Sequence, residues 1–140
     1  MANNITTILV GGALMVIASS CEKGTHALID VRSSSDVLFS IPEDETQYYC
    51  INSVEIRRYL GGSESTNYKV VWRIKLKPNQ SGLCDLKISY PRIPPTFTAE
   101  ITSERLPAGD YTVVIDGGIG TASGEFTIPQ NWESKPANPQ

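Results

Sequence analysis

Along most of the chain, apolar and polar residues alternate one for one, the signature of strands with one dry face and one wet face. The clearest case runs from Tyr68 to Lys77. There Tyr68, Val70, Trp72, Ile74 and Leu76 share one parity, and Lys69, Arg73, Lys75 and Lys77 fall on the other. Cys84, Leu86, Ile88 and Tyr90 alternate in the same way with Asp85, Lys87 and Ser89, and Phe97, Ala99 and Ile101 alternate with Thr98, Glu100 and Thr102. Tyr111, Val113 and Ile115 lead through a glycine-rich stretch to Phe126 and Ile128. Weaker runs at Ala27–Val31, Val37–Ile41, Gln47–Ile51 and Val54–Tyr59 are separated by turn-forming clusters such as Ser33-Ser34-Ser35-Asp36 and Gly61-Gly62-Ser63. No stretch of this region carries a helical period. About seven to nine short strands at this spacing predict an all-β antiparallel sandwich. By parity, Cys84 is expected on the apolar face of its strand, which would place any bridge it makes in the core.

The first twenty residues break this pattern. They contain no charged side chain, and Ile5–Ala18 is almost continuously apolar or small. A membrane-spanning helix needs about 20 apolar residues, so this run is short for a span. It fits the apolar region of a signal peptide, with Ala18-Ser19-Ser20 as the small residues before a cut. The expected organisation is a signal peptide over 1–20, a polar tether over 21–26, a sandwich over 27–129 and a flexible tail over 130–140.

Ile17-Ala18-Ser19-Ser20-Cys21 resembles the lipobox of bacterial lipoproteins. The resemblance implies that the Cys21 thiol is acylated, palmitate being the usual fatty acid, and that Cys21 becomes the first mature residue. Two positions depart from the family: Met1-Ala2-Asn3-Asn4 carries no Lys or Arg, and Ala18 stands where Leu is commonest. An ordinary signal peptidase would cut at the same place, after Ser20. The chain has three cysteines. If Cys21 holds lipid, Cys50 and Cys84 remain as a pair able to form a disulfide in an oxidising envelope, stabilising the fold by roughly 3–4 kcal/mol. If Cys21 is free, an exported protein keeps an odd thiol.

Leu106-Pro107-Ala108-Gly109-Asp110-Tyr111-Thr112-Val113 resembles the entry to the penultimate strand of immunoglobulin-like and fibronectin-like sandwiches, where a Tyr closes a corner between sheets. Antibody domains place a disulfide Cys two positions after that Tyr; here Val113 stands there. Together with Trp72-Arg73-Ile74, Tyr90–Phe97 and Phe126-Thr127-Ile128, the segment is similar to small bacterial lipoproteins of unknown function. That likeness implies a fold and an envelope location, with the outer membrane preferred and the domain facing the periplasm or the exterior. It implies no activity.

Chemistry adds little to this picture. The net charge of −3 is spread along the chain, without the clustered Lys and Arg that bind nucleic-acid phosphates. Gly118-Ile119-Gly120-Thr121-Ala122-Ser123-Gly124 approaches a dinucleotide-binding loop. Its third Gly is one place late, however, and β-like residues follow where a helix is needed, so a hairpin is expected. His26 is the only histidine: a zinc site needs three or four ligands and the cysteines are better explained elsewhere, while a Ser/His/acid triad would have to recruit this same residue, with no nucleophile elbow such as G-x-S-x-G in the sequence. No catalytic residue, metal site or cofactor is therefore expected. Tyr49, Arg57, Arg58, Tyr59 and Arg92 are the candidate surface contacts, since exposed Tyr and Arg are enriched at interfaces, although edge protection and strand termination account for the same residues and are the preferred reading. The function expected is a membrane-tethered, non-catalytic binding or structural module. The alternatives are an accessory lipoprotein of an envelope secretion complex and, behind it, a small hydrolase using paired carboxylates.

Overall fold

The computed structural model describes residues 25–42, 50–64, 66–84, 87–118 and 120–132. Among the described residues nine strands follow one another: β1 (Thr25–His26), β2 (Leu28–Ser33), β3 (Asp36–Ser40), β4 (Ile51–Tyr59), β5 (Tyr68–Leu76), β6 (Lys87–Tyr90), β7 (Phe97–Ile101), β8 (Gly109–Gly117) and β9 (Thr121–Ile128). They form a six-stranded sheet in the order β1-β9-β8-β4-β5-β7 and a three-stranded sheet in the order β2-β3-β6. Every pairing is antiparallel except that of β1 with β9. The result is an all-β, two-sheet, sandwich-like fold.

Alternation builds the core. Val37 and Phe39 from β3 and Ile88 and Tyr90 from β6 face Val54, Ile56, Trp72, Ile74, Val113, Ile115, Phe126 and Ile128 of the larger sheet. Trp72 is 1% exposed and meets the Tyr90 ring edge-on at 5.4 Å between centroids. Phe126 stacks on Tyr111 at 5.3 Å and also touches Phe39 across the sandwich. The Tyr90 hydroxyl donates to the Ser103 carbonyl at 2.7 Å and that of Tyr111 to the Pro107 carbonyl, so each buried ring keeps its polar end satisfied. Gly124 is needed where the sheets close: a Cβ there would lie 2.7 Å from Ile29 Cδ1 and 3.1 Å from the Ala27 carbonyl. The last glycine of the near-motif thus serves packing, and the turn it follows is the β8–β9 hairpin, with Gly117 N–H donating to the Gly120 carbonyl.

Several expectations are corrected. The runs at Gln47–Ile51 and Val54–Tyr59 are not two strands, for Ile51 to Tyr59 is the single strand β4, while 47–49 lies outside the described residues. In β5 the register steps from Ile56↔Trp72 to Arg57↔Val70, leaving Val71 as an extra residue in a bulge. The bulge flips parity, so Tyr68 and Val70 lie on the outer face with Arg57 rather than inside with Trp72, and Val71 packs against the core instead. A second irregularity leaves Glu100 without a register partner and puts Ile101 opposite outward-facing Arg73. Thr25 and His26, expected in the tether, pair with Ala122 and Ser123. Trp132, expected in the flexible tail, closes a 3-10 turn (Gln130–Trp132) and packs against the core.

Cys50 and Cys84 are bonded, as the pairing of the two later cysteines requires. The bridge is not in the core. Cys84 is exposed and precedes β6, which begins only at Lys87, so the parity argument has no strand to act on. The bond instead pins the loop before β6 to the start of β4, beside an isolated bridge in which Ile51 and Leu83 exchange hydrogen bonds of 2.8 and 2.9 Å. Gly82 permits this approach, since a Cβ there would stand 2.7 Å from Asn52 Oδ1 and 3.2 Å from Cys50 Cβ.

The two ends of the sandwich differ. The chain enters at Thr25, level with the disulfide, the start of β4 and the β8–β9 hairpin. The β4–β5 hairpin, the β2–β3 turn and the 102–108 segment lie at the other end. There Arg105 gathers three elements: its Nε donates to Ser34 Oγ at 2.9 Å and its Nη2 to the Trp132 carbonyl at 2.8 Å, while Leu106 N–H donates to the Ser34 carbonyl at 2.7 Å.

Candidate functional site

The outer face of the larger sheet carries a strip of polar and charged side chains. Pairing sets it out in rows: Thr127, Asp110 and Tyr59 with Tyr68 nearest the β4–β5 hairpin, then Glu125, Thr112, Arg57 and Val70, then Ser123, Val114, Glu55 and Arg73. Alternation puts these side chains outward, and hairpin register decides which of them meet.

Glu55 is the centre of a charge relay across three strands. Arg57 donates to Glu55 Oε1 from two positions along β4, and Arg73 Nε donates to Glu55 Oε2 at 2.7 Å from β5. Arg73 also faces Glu100 of β7 at 3.8 Å, and the Arg57 guanidinium lies over the Tyr68 ring, 4.6 Å from its centroid. Burial pushes the Glu55 carboxyl up, but the hydrogen bonds and charges of Arg57 and Arg73 outweigh it, and the net effect holds Glu55 below the ordinary carboxylate value of 4.5. A depressed folded value means that this contribution is fully present above the unfolded value and is lost as pH falls through the folded one. Acid titration of stability should therefore show a loss below pH 4.5 that Glu55→Gln removes. Urea midpoints measured between neutral pH and about pH 3 check this; parallel curves for the two proteins would contradict it.

Beside this strip lies an open depression of 560 Å3, walled by Tyr59 and Ser63 of the β4–β5 hairpin and floored by Asp110, Thr112, Glu125 and Thr127 of β8 and β9. Asp110 accepts a hydrogen bond from Thr127 Oγ1 at 2.7 Å. The Tyr59 hydroxyl donates to the Gly62 carbonyl and Asn67 Nδ2 to the Gly61 carbonyl, so hydrogen bonds within the hairpin brace the wall. The groove is lined by two carboxylates, the hydroxyls of Ser63, Thr112 and Thr127, and three aromatic residues, Tyr59 with the largely buried Tyr111 and Phe126, a set able to meet donors, positive charge and apolar groups. Asp110 and Glu125 stand on the same face in neighbouring rows, each opposite a threonine.

Of the residues expected to meet a partner, Arg57 and Tyr59 sit on this face next to the groove. Arg58 turns the other way, its Nη2 donating to the Ala108 carbonyl at 2.8 Å, and braces the corner that Tyr111 closes. Arg92 is exposed on the β6–β7 connection, off this sheet. Tyr49 and Cys21 lie outside the described residues. Sequence reasoning missed Asp110, Thr112, Glu125, Thr127 and Ser63. The outward parity of the four strand residues was readable, but only the β8–β9 register, Thr112↔Glu125 and Asp110↔Thr127, unites them, and Ser63 joins them from the β4–β5 loop. Among the described residues, no group of three or more His, Cys, Asp or Glu is placed to hold a metal ion, and no helix is long and apolar enough to cross a membrane. No family model, curated protein or solved structure matches the chain.

Proposed function

We propose that the protein is an exported, lipid-anchored binding module of the bacterial cell envelope, built on an immunoglobulin/fibronectin-like sandwich. The observation that carries this reading is the Cys50–Cys84 bond. It uses up the two later thiols, fits an oxidising compartment, and leaves Cys21, at the end of the uncharged apolar leader, as the residue to acylate. The sandwich class rests on strand order and on the tyrosine corner. Strands β9, β8, β4 and β5 take the places of G, F, C and C′, and β2, β3 and β6 those of A, B and E. Tyr111 bonds back to Pro107 at the mouth of the F-like strand, as such a corner requires. The additional β7 at the β5 edge departs from that plan.

Processing and mass test the reading together. Expression in a bacterial host treated with globomycin should accumulate the uncut precursor. Without the drug, intact mass should correspond to a chain beginning at Cys21 and carrying a diacylglyceryl group. A mature protein with residues 1–20 attached, or with Cys21 unmodified, overturns the proposal.

A further inference from the structure

The end of the sandwich farthest from Thr25 combines two features. One is an apolar and aromatic tip on the β4–β5 hairpin: Tyr59, Leu60 and Tyr68 are 40%, 55% and 41% exposed, three of the five large hydrophobic residues most open to solvent among the described residues. The other is the groove beside it, whose charged lining residues are Asp110 and Glu125, with Glu64 following on the hairpin itself. Of the neighbouring cations, Arg57 is held by Glu55 and the Tyr68 ring and Arg58 by the Ala108 carbonyl, while Lys69, opposite Arg58, has the parity of the other face of the sheet. An exposed Tyr/Leu cluster is costly to leave in water and has the composition of an interface centre. Acids at its border select the partner's sign.

We propose that the β4–β5 hairpin tip and the Asp110/Glu125 groove together form the docking surface for a basic segment of a protein partner, its apolar side chains on Tyr59, Leu60 and Tyr68 and its Lys or Arg groups in the groove. Lipid headgroup phosphates and nucleic acids carry the wrong charge for this groove. The surface rests on the envelope-module reading only for its orientation. If the chain is anchored at Cys21, the docking surface lies at the end of the sandwich opposite Thr25.

The test uses the full-length protein purified from whichever cell fraction holds it, titrated with a short peptide alternating Lys and Leu and with its Glu/Leu counterpart, followed by amide chemical shifts and calorimetry. The Lys peptide should shift the amides of Tyr59, Thr112, Glu125 and Thr127, bind more weakly as salt rises, and lose about tenfold or more in affinity in Asp110→Asn/Glu125→Gln. Because Asp110 also accepts from Thr127, Glu125→Gln alone is measured beside it and should lose part of the same affinity. The Glu peptide should leave those amides unmoved. Shifts elsewhere, equal affinity for both peptides, undiminished binding by the neutralised variants, or binding of phosphatidylglycerol vesicles through the same residues overturns the proposal. Peptide binding in solution does not depend on acylation of Cys21, whereas the mass measurement reports acylation alone, so failure of one reading is not failure of the other.

Discussion

Replacing Trp72 with Ala is expected to destabilise the fold by about 3–5 kcal/mol, a large part of the roughly 5–15 kcal/mol that holds a domain of this size together. The ring is 1% exposed, lies opposite Ile56 in the register and stands edge-on to Tyr90. It therefore joins the two sheets, β5 lying in the larger and β6 in the smaller. Truncation removes a large buried apolar area and leaves a cavity that the surrounding strands, tied by their ladders, close only in part. It also removes the ring that covers Tyr90, whose phenol burial already holds above its usual ionisation range. Urea unfolding followed by circular dichroism should show the midpoint fall with little change in slope. Trp72→Phe keeps an aromatic partner for Tyr90 and should lose less. A loss below about 1 kcal/mol for Trp72→Ala would mean that the two sheets do not depend on this contact.

Alternation made most strands legible, because each sheet has one face in water and a period of two follows from that alone. β3, β5, β7, β8 and β9 stand within a residue or a few of where the pattern puts them. Alternation failed where the backbone departs from a plain ladder. Val70-Val71 ahead of Trp72 was the only trace of the β5 bulge, and two adjacent apolar residues do not say which is the extra one. Parity extrapolated from Ile88 and Tyr90 back to Cys84 assumed a strand three residues longer than the one that forms. The disulfide itself came from counting thiols, which does not depend on parity, and so survived that error. The groove was out of reach for a further reason. Asp110 and Glu125 are fifteen positions apart, and their lining one depression depends on how the Gly117–Gly120 turn sets the β8–β9 register. Arg105 illustrates the same limit, because its partners Ser34 and Trp132 belong to opposite ends of the domain's sequence.

Removing the Cys50–Cys84 bond is expected to cost about 3–4 kcal/mol, nearly all of it through the unfolded chain. The bond closes a loop with a sequence separation of 34 residues, so without it the unfolded ensemble regains the freedom that the crosslink denied it. Its position sharpens the expectation. Because Cys84 is exposed, Cys50 only half-buried, and neither belongs to the core, substitution opens no core cavity and fully buries no polar group. Cys50→Ala/Cys84→Ala and Cys50→Ser/Cys84→Ser should accordingly lose the same amount, whereas a bridge in the core would penalise the hydroxyl pair more. The folded state should change little, since Ile51 and Leu83 still exchange two backbone hydrogen bonds beside the missing bond. The denaturant slope should rise in both variants as the unfolded chain expands. The exposed sulfur also predicts that a phosphine reductant opens the bond in the native protein without denaturant. Resistance to reduction until the protein unfolds, or a serine pair markedly worse than the alanine pair, would place the bridge in the core after all.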